Sequence, residues 1–214
     1  MIMKYYLETK ILENINLLQY FNEKDIKKSK NKLQITNKGI YSISKPSDAK
    51  WILEKIRSNI GIDKIKTLTI TDATSGIGGN VINFAEHFKL VNAVELNNVH
   101  YEVLVNNIKV LQLNNVNTYE GNILSYINTL EEDIVFIDPP WGGKYYKKIK
   151  YFNIKLGKVP INIIINRYFD KGTKYLVLKA PYNINITLLC RYVKYDNMHL
   201  YKNNNMWLLI FTNI

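Results

Sequence analysis

The sequence predicts a doubly wound α/β fold around a mostly parallel sheet, and three observations predict it. From about Lys50 onward, short apolar and β-branched runs alternate with segments whose apolar residues recur at helical spacing. Several of the strand-like runs stop at an acid or a glycine turn, as strands do where a parallel sheet meets its ligand. The chain then closes on two strand-like runs around a polar turn, which adds an antiparallel strand near the end.

Taken in order, residues 1–45 form a polar, lysine-rich opening. "MIMKYYLETKILENINLL" reads as an amphipathic helix without the cleavage site of a signal peptide. "FNEKDIKKSKNK" reads as helix and then loop, in an arm laid across a later core. "TLTITDA" (67–73) is the first strand, and "GNVINFAEHF" (79–88) sets Val81, Phe84, Ala85 and Phe88 at helical spacing. "VNAVEL" (91–96) is the second strand, followed by the helix "NNVHYEVLVNNIKVL". "VNTYEG", "DIVFID" and "KYLVLKA" supply three more strands. "CRYVKYD" and "MWLLIFT" are expected to be the last two, with "NMHLYKNNN" as their turn.

At 214 residues and 47% hydrophobic content the chain suits one domain plus an extension: 1–45 as the extension and 46–214 as the main domain. It has no run of about 18 apolar residues, so no membrane span is expected. Its one cysteine, Cys190, excludes an internal disulfide and a cysteine-based zinc cage. That fits a reducing, intracellular setting, cytoplasmic or nuclear. His87, His100 and His199 lack metal-like spacing, so no metal is expected. Lys and Arg number 29 against 18 Asp and Glu, a net charge of +11 that favours a polyanionic partner, nucleic acid first. A monomer is the expectation.

Three features fall at the strand ends. "DATSGIGGN", Asp72 to Asn80, carries Gly76, Gly78 and Gly79 in a turn that lets a ligand approach bare backbone. Glu95, 23 positions beyond Asp72, can accept hydrogen bonds from both hydroxyls of a ribose. Asn122, in "EGNIL", is placed to meet an adenine edge. The loop lacks the Gly-Lys-Ser/Thr of a phosphate-binding loop, so nucleotide hydrolysis is disfavoured, and a dinucleotide or S-adenosylmethionine remains.

The fourth strand runs into "DPPWGG", Asp138 to Gly143. Two prolines hold the backbone extended and leave its carbonyls free to accept. The Asp138 carboxylate and the Pro139 carbonyl can together take both hydrogens of an exocyclic amine, and Trp141 offers a face for the base. Gly142 and Gly143 keep that face clear. Methylation of an amino group needs such a motif, whereas hydride transfer does not.

"DATSGIGGN", "EGN" and "DPPWGG", in this order and spacing, resemble the trimethylguanosine synthase family, which methylates the 2-amino group of 7-methylguanosine RNA caps. "KLQITNKGIYSISKP" is similar to that family's segment before Ser-Val-Thr-Pro, so the likeness runs from about Lys32 to Tyr146. It implies a Rossmann-like class I methyltransferase fold with seven strands, S-adenosylmethionine as donor, S-adenosylhomocysteine as product, and capped RNA or a cap nucleotide as partner. It places Asp72, Gly76, Gly78, Glu95 and Asn122 around the donor, with Ala73, Thr74, Asn80, Leu96, Ile123 and Asp138 beside them. Ser42 and Ser44 would close over donor and cap. Asp138, Pro139 and Pro140 would hold the amine, and Trp141 would stack on the cationic base, with Gly142, Lys144, Tyr145 and Lys179 on the substrate side.

Four departures accompany the likeness. The family usually has Ser at the position of Asp138 and Asp at that of Asn122. Pro46 stands one position late. The arginine of Pro-Arg-Asn is replaced within "KAPYN", so phosphate contacts pass to Lys179, Arg167 or the cluster "KYYKK" (Lys144 to Lys148). Two other acceptors compete, the 6-amino group of adenine and an internal guanine of RNA. The glycine loop preceding Asp-Pro-Pro-Trp and the Gly-Gly after it favour guanine. A non-enzymatic RNA-binding or activating module is the alternative of another class.

Overall fold

The computed structural model describes residues 8–203 and 206–214, without the side chains of Lys144 and Tyr145. Among the described residues, nine strands and eight α-helices are arranged in the expected alternation. The helices are α1 (Glu23–Lys28), α2 (Gly39–Ser42), α3 (Pro46–Ile60), α4 (Gly79–Ala85), α5 (Asn98–Val110), α6 (Ile123–Tyr126), α7 (Ile161–Asp170) and α8 (Ile186–Tyr192). The strands are β1 (Thr69–Asp72), β2 (Leu90–Glu95), β3 (Val116–Glu120), β4 (Ile134–Ile137), β5 (Lys155–Leu156), β6 (Val159–Pro160), β7 (Tyr175–Pro181), β8 (Asn197–Asn203) and β9 (Met206–Thr212). Seven of them form one sheet in the order β3-β2-β1-β4-β7-β9-β8, while β5 and β6 pair as a separate hairpin. The first five run parallel, and β9 is antiparallel to both its neighbours.

Side chains alternate across the sheet, and each face buries its own cluster. Ile134 and Phe136 of β4, Val177 of β7 and Ile210 of β9 pack with α3, α4 and α5. Their sequence neighbours Val135, Ile137, Leu176, Leu178 and Leu209 face the opposite way, against α7, α8 and the hairpin. Most are fully buried, each contributing about 1.5–3 kcal/mol. A third cluster joins Phe21, Ile26, Leu33 and Ile35 of the arm to Ile77, Ile82, Val103 and Leu111, so the arm lies on α4 and α5.

Two sequence expectations need correction. Residues 8–16 are not helical: Ile11 makes a lone bridge with Thr36, Asn14 takes a φ of 52°, and only a 3-10 turn at Leu17–Gln19 follows. Asn14 and Asn16 compete with helical bonding through short polar side chains, and Asn16 caps the Leu18 N–H. The first seven residues of the expected helix lie outside the described residues. At the other end, "CRYVKYD" is not a strand. It holds the end of α8 and a loop, and the strand beside β9 is instead Asn197–Asn203, expected to be a turn.

Candidate active site

β1 and β4 are neighbours in the sheet where strand order reverses, so the ends of β1, β2 and β4 bound one crevice. The loop after β1 turns back on Glu95 at the end of β2. The Gly76 N–H donates to one Glu95 oxygen at 2.7 Å and the Asn97 N–H to the other at 2.7 Å. Each oxygen retains acceptor capacity, since a carboxylate offers about four lone-pair sites. Burial pushes the Glu95 carboxyl up, against the pull of the Asn97, Gly76 and Leu96 N–H groups. Thr74 joins the loop to β4 by accepting the Asp138 N–H at 2.8 Å.

The arm closes the crevice from above. Gly79, at the first turn of α4, has no room for a side chain: a Cβ there would sit 2.6 Å from Ile43 Cγ1 and 2.8 Å from the Ser44 carbonyl. That close approach brings Ser44 Oγ within 3.0 Å of Asn80 Nδ2 and within 3.0 Å of Lys179 Nζ. Parallel register pairs Ile137 with Leu178, so the next residues on each strand, Asp138 and Lys179, stand side by side. Their charges meet at 2.6 Å. Burial raises the Asp138 carboxyl, and Lys179 and Ser44 oppose that rise. Asp72, buried beneath the loop, is pushed up to about 8 by burial, with Asp138 and Glu95 adding to the shift and the Thr74 N–H opposing it.

These elements enclose a cleft of about 470 Å³. Of the residues the sequence singles out, Ser42, Ser44, Ala73, Thr74, Gly76 and Asn80 form one wall. Glu95, Leu96, Asn122 and Ile123 line another, and Asp138 and Pro140 face them. Asp72, Gly78, Pro139, Trp141, Gly142 and Lys179 do not line the cleft; the side chains of Lys144 and Tyr145 lie outside the described part of the structure. Asn122 is not the end of β3. It caps α6, its side-chain oxygen accepting the Leu124 N–H.

Three expectations on the substrate side change. Trp141 is not a free platform: it is half-buried, Tyr146 meets its ring edge-on at 5.3 Å, and Lys179 Nζ lies 5.7 Å from its centroid. Gly142 clears nothing, since a Cβ there would meet no atom within 4 Å; its φ of 79° is what calls for glycine. Lys179 is buried and paired, so it is no surface phosphate contact, and Arg167 sits exposed in the last turn of α7, toward the start of β7 and away from the strand ends.

The cleft also contains residues that sequence reading missed. Leu156 and Gly157 reach it from the β5–β6 hairpin, and Asn97 and His100 from the start of α5. The turn-like "LGK" flanked by apolar residues is the signal for the hairpin. Two cleft residues hold buried atoms without a hydrogen-bond partner among the described residues, Asn80 Oδ1 and His100 Nε2. Unpaired buried polar atoms are rare in a finished interior. Together with Glu95, whose oxygens retain acceptor capacity, these open polar atoms fit a hydrogen-bonding nucleoside.

Comparison with known proteins bears on the fold and the family. A protein of Acanthamoeba polyphaga mimivirus is 42% identical over 134 residues, 61% of this chain and 52% of that one. The trimethylguanosine synthase of Schizosaccharomyces pombe is 26% identical over 147 residues, 64% of this chain and 59% of that one. The chain thus spans between half and three-fifths of the length of these curated relatives. Among solved structures, a precorrin methyltransferase of Geobacter metallireducens superposes with a TM-score of 0.57 at 19% identity, covering 80% of this chain and 89% of that one. The Thermus thermophilus 16S ribosomal RNA guanine-N2 methyltransferase, solved with S-adenosylmethionine and guanosine, gives 0.56 at 14%, covering 80% and 44%. Both establish the fold as that of class I methyltransferases. A family model described as RNA cap guanine-N2 methyltransferase matches residues 67–207, which contain the glycine loop, Glu95, the Asp-Pro-Pro-Trp turn and Lys179, and the chain belongs to that family.

Proposed function

We propose that the protein transfers a methyl group from S-adenosylmethionine to the 2-amino group of a 7-methylguanosine RNA cap. The observation that carries this reading is the convergence of the glycine loop, tied to Glu95, and the Asp-Pro-Pro-Trp turn, tied to that loop through Thr74, on one cleft. S-adenosylmethionine supplies the electrophilic methyl group. Glu95 holds the ribose with its remaining lone pairs, and Asn80 and His100 offer polar atoms to the rest of the nucleoside. Asp138, which lines the cleft beside Pro140, accepts an amine hydrogen, so the nitrogen lone pair is aimed across the cleft. The nitrogen takes the methyl group, leaving S-adenosylhomocysteine, and then gives up a proton to solvent. No covalent enzyme intermediate is needed, and positioning and electrostatics carry the acceleration. Glu95, a cleft carboxyl with no Lys or Arg partner among the described residues, favours the sulfonium donor, and an aromatic face at Trp141 favours a 7-methylated base. Trp141 reads that base with the surface that Tyr146 and Lys179 leave open.

A transfer assay with labelled S-adenosylmethionine on 7-methyl-GTP, GTP and an adenine-containing RNA oligomer tests the reading. Transfer to 7-methyl-GTP alone is expected. Transfer only to the oligomer moves the acceptor to adenine or an internal guanine, and absence of donor binding replaces the enzyme with a binding module.

A further inference from the structure

We infer that the single-stranded body of the RNA, beyond the methylated nucleotide, lies in the groove between the β5–β6 hairpin and α8. This rests on the proposal that capped RNA is the substrate. Charge is the first observation. Residues 139–194 hold twelve Lys and Arg against one acid, Asp170, while the remaining residues hold 17 of each sign. The whole net charge of +11 therefore resides in one segment. Lys171, Lys174, Lys179 and Lys194 of that segment are neutralised by Glu132, Asp133, Asp138 and Asp170. Lys147, Lys150, Lys155, Lys158 and Arg191 are exposed and form no ion pair among the described residues.

The second observation is an open groove of about 350 Å³ in the same lobe, separate from the donor cleft. Its floor is apolar, with Ile154, Ile184 and Leu189 buried beneath it, and its walls present the amides of Asn153 and Asn162 and the ring of Tyr192. Tyr151, Tyr182 and Tyr192 stand 58%, 43% and 55% exposed in this lobe, so each has ring surface open to a stacking partner.

The third observation is continuity. Tyr146 packs 5.3 Å from Trp141 and 6.3 Å from both Phe152 and Tyr182, and Phe152 lines the groove. Asn183 fixes this path by donating to the carbonyls of Tyr146 and Ile149. Packed rings, with Tyr146 buried at their centre, thus link the acceptor turn to the groove, whose lining includes Lys155 and the exposed Tyr192. Flat π faces between cations suit successive unstacked bases and their phosphates. An acidic peptide would answer the charge but leave the aromatic faces without a flat partner.

The test compares wild type with Lys155→Glu/Arg191→Glu and with Tyr192→Ala, none of which contributes to the donor cleft. Anisotropy is read on a labelled uncapped 12-nucleotide RNA, and transfer kinetics on 7-methyl-GTP and on a capped 12-mer. The double variant should weaken RNA binding about tenfold and flatten its salt dependence, since each lost phosphate contact removes about 0.7 from the single-strand slope. Tyr192→Ala should weaken it at least fivefold without changing that slope. KM for the capped 12-mer should rise accordingly, while KM for 7-methyl-GTP stays put. RNA binding unchanged in all variants overturns the inference, as does equal displacement of the RNA by poly-glutamate and by unlabelled RNA. Variant-sensitive binding without transfer to any cap would instead retain the groove and remove the cap reading.

Discussion

At the scale of single residues, Asp138 and Lys179 act as one buried pair. The resemblance leads one to expect Ser at the position of Asp138, and a lone carboxyl there would be buried without a counter-ion. Register across β4 and β7 puts Lys179 alongside, and the 2.6 Å contact supplies the charge. Both side chains are largely hidden, 10% exposed for Lys179 and 15% for Asp138, so solvent does little to screen the pair. Lys179→Met should therefore destabilise the fold by about 3–5 kcal/mol, the usual cost of leaving a buried charge unpaired. Asp138→Ser alone should do the same from the other side. The double variant should recover most of that loss, because it removes both charges at once. Denaturant titration of the four proteins gives the coupling, and additive losses would show that the two groups act independently. Lys179 also touches Ser44, so the singles should raise KM for donor as well as lower stability.

At the scale of elements, legibility followed burial. β4, β7 and β9 were readable because both faces are covered and the runs are mostly apolar, and β1, β2 and β3 because their β-branched and apolar residues end at an acid or a glycine turn. β8 was not, because it is an edge strand with most side chains in water, and its place is set by pairing with β9. "CRYVKYD" carries strand-like residues, yet Asn185 starts a helix ahead of it by accepting the Leu188 N–H. In the cleft, the glycine loop, Glu95 and Asp138 were legible because they end readable strands. Leu156, Gly157 and His100 arrive from separate elements, and only the fold brings them together. The contact between α4 and the arm tests whether that assembly holds the donor. Gly79→Ala should gain helix propensity of about 1 kcal/mol, yet it drives a Cβ into Ile43 and the Ser44 backbone. The expected net effect is a loss of about 1–3 kcal/mol from overpacking. The rise in Tm on adding S-adenosylmethionine should fall by at least half, and cleavage by protease near residues 38–45 should quicken. A more stable variant with the full donor response would mean that the arm does not depend on this contact.

At the scale of the whole molecule, the arm shares one apolar cluster with α4 and α5, and those helices pack on the sheet, so the carboxyls beneath the cleft are coupled to global unfolding. Asp72 gives the clearest consequence. Its folded-state value near 8 lies above the ordinary 3.8, so the folded chain keeps a proton that the unfolded chain has released. The stability this contributes is complete below pH 3.8 and is lost as pH rises to about 8. Asp72→Asn can still accept the Thr74 N–H and does not titrate. Its Tm relative to wild type should therefore climb steadily from pH 5 to pH 8 and level off beyond. Every tenfold difference in proton affinity between the folded and unfolded chains is worth about 1.4 kcal/mol, and each kcal/mol moves Tm by about 2–4 °C at this length. Glu95 and Asp138 are raised too and titrate in both proteins, so the difference between the curves reports Asp72 together with its coupling to them. A flat difference would mean that Asp72 is already ionised at neutral pH. The donor sharpens the comparison: a sulfonium near three carboxyls favours their charged forms and lowers their pKa values. Its stabilisation of wild type should then grow from pH 6 to pH 9, and less so in Asp72→Asn, whereas neutral S-adenosylhomocysteine should stabilise both proteins with little change across the range.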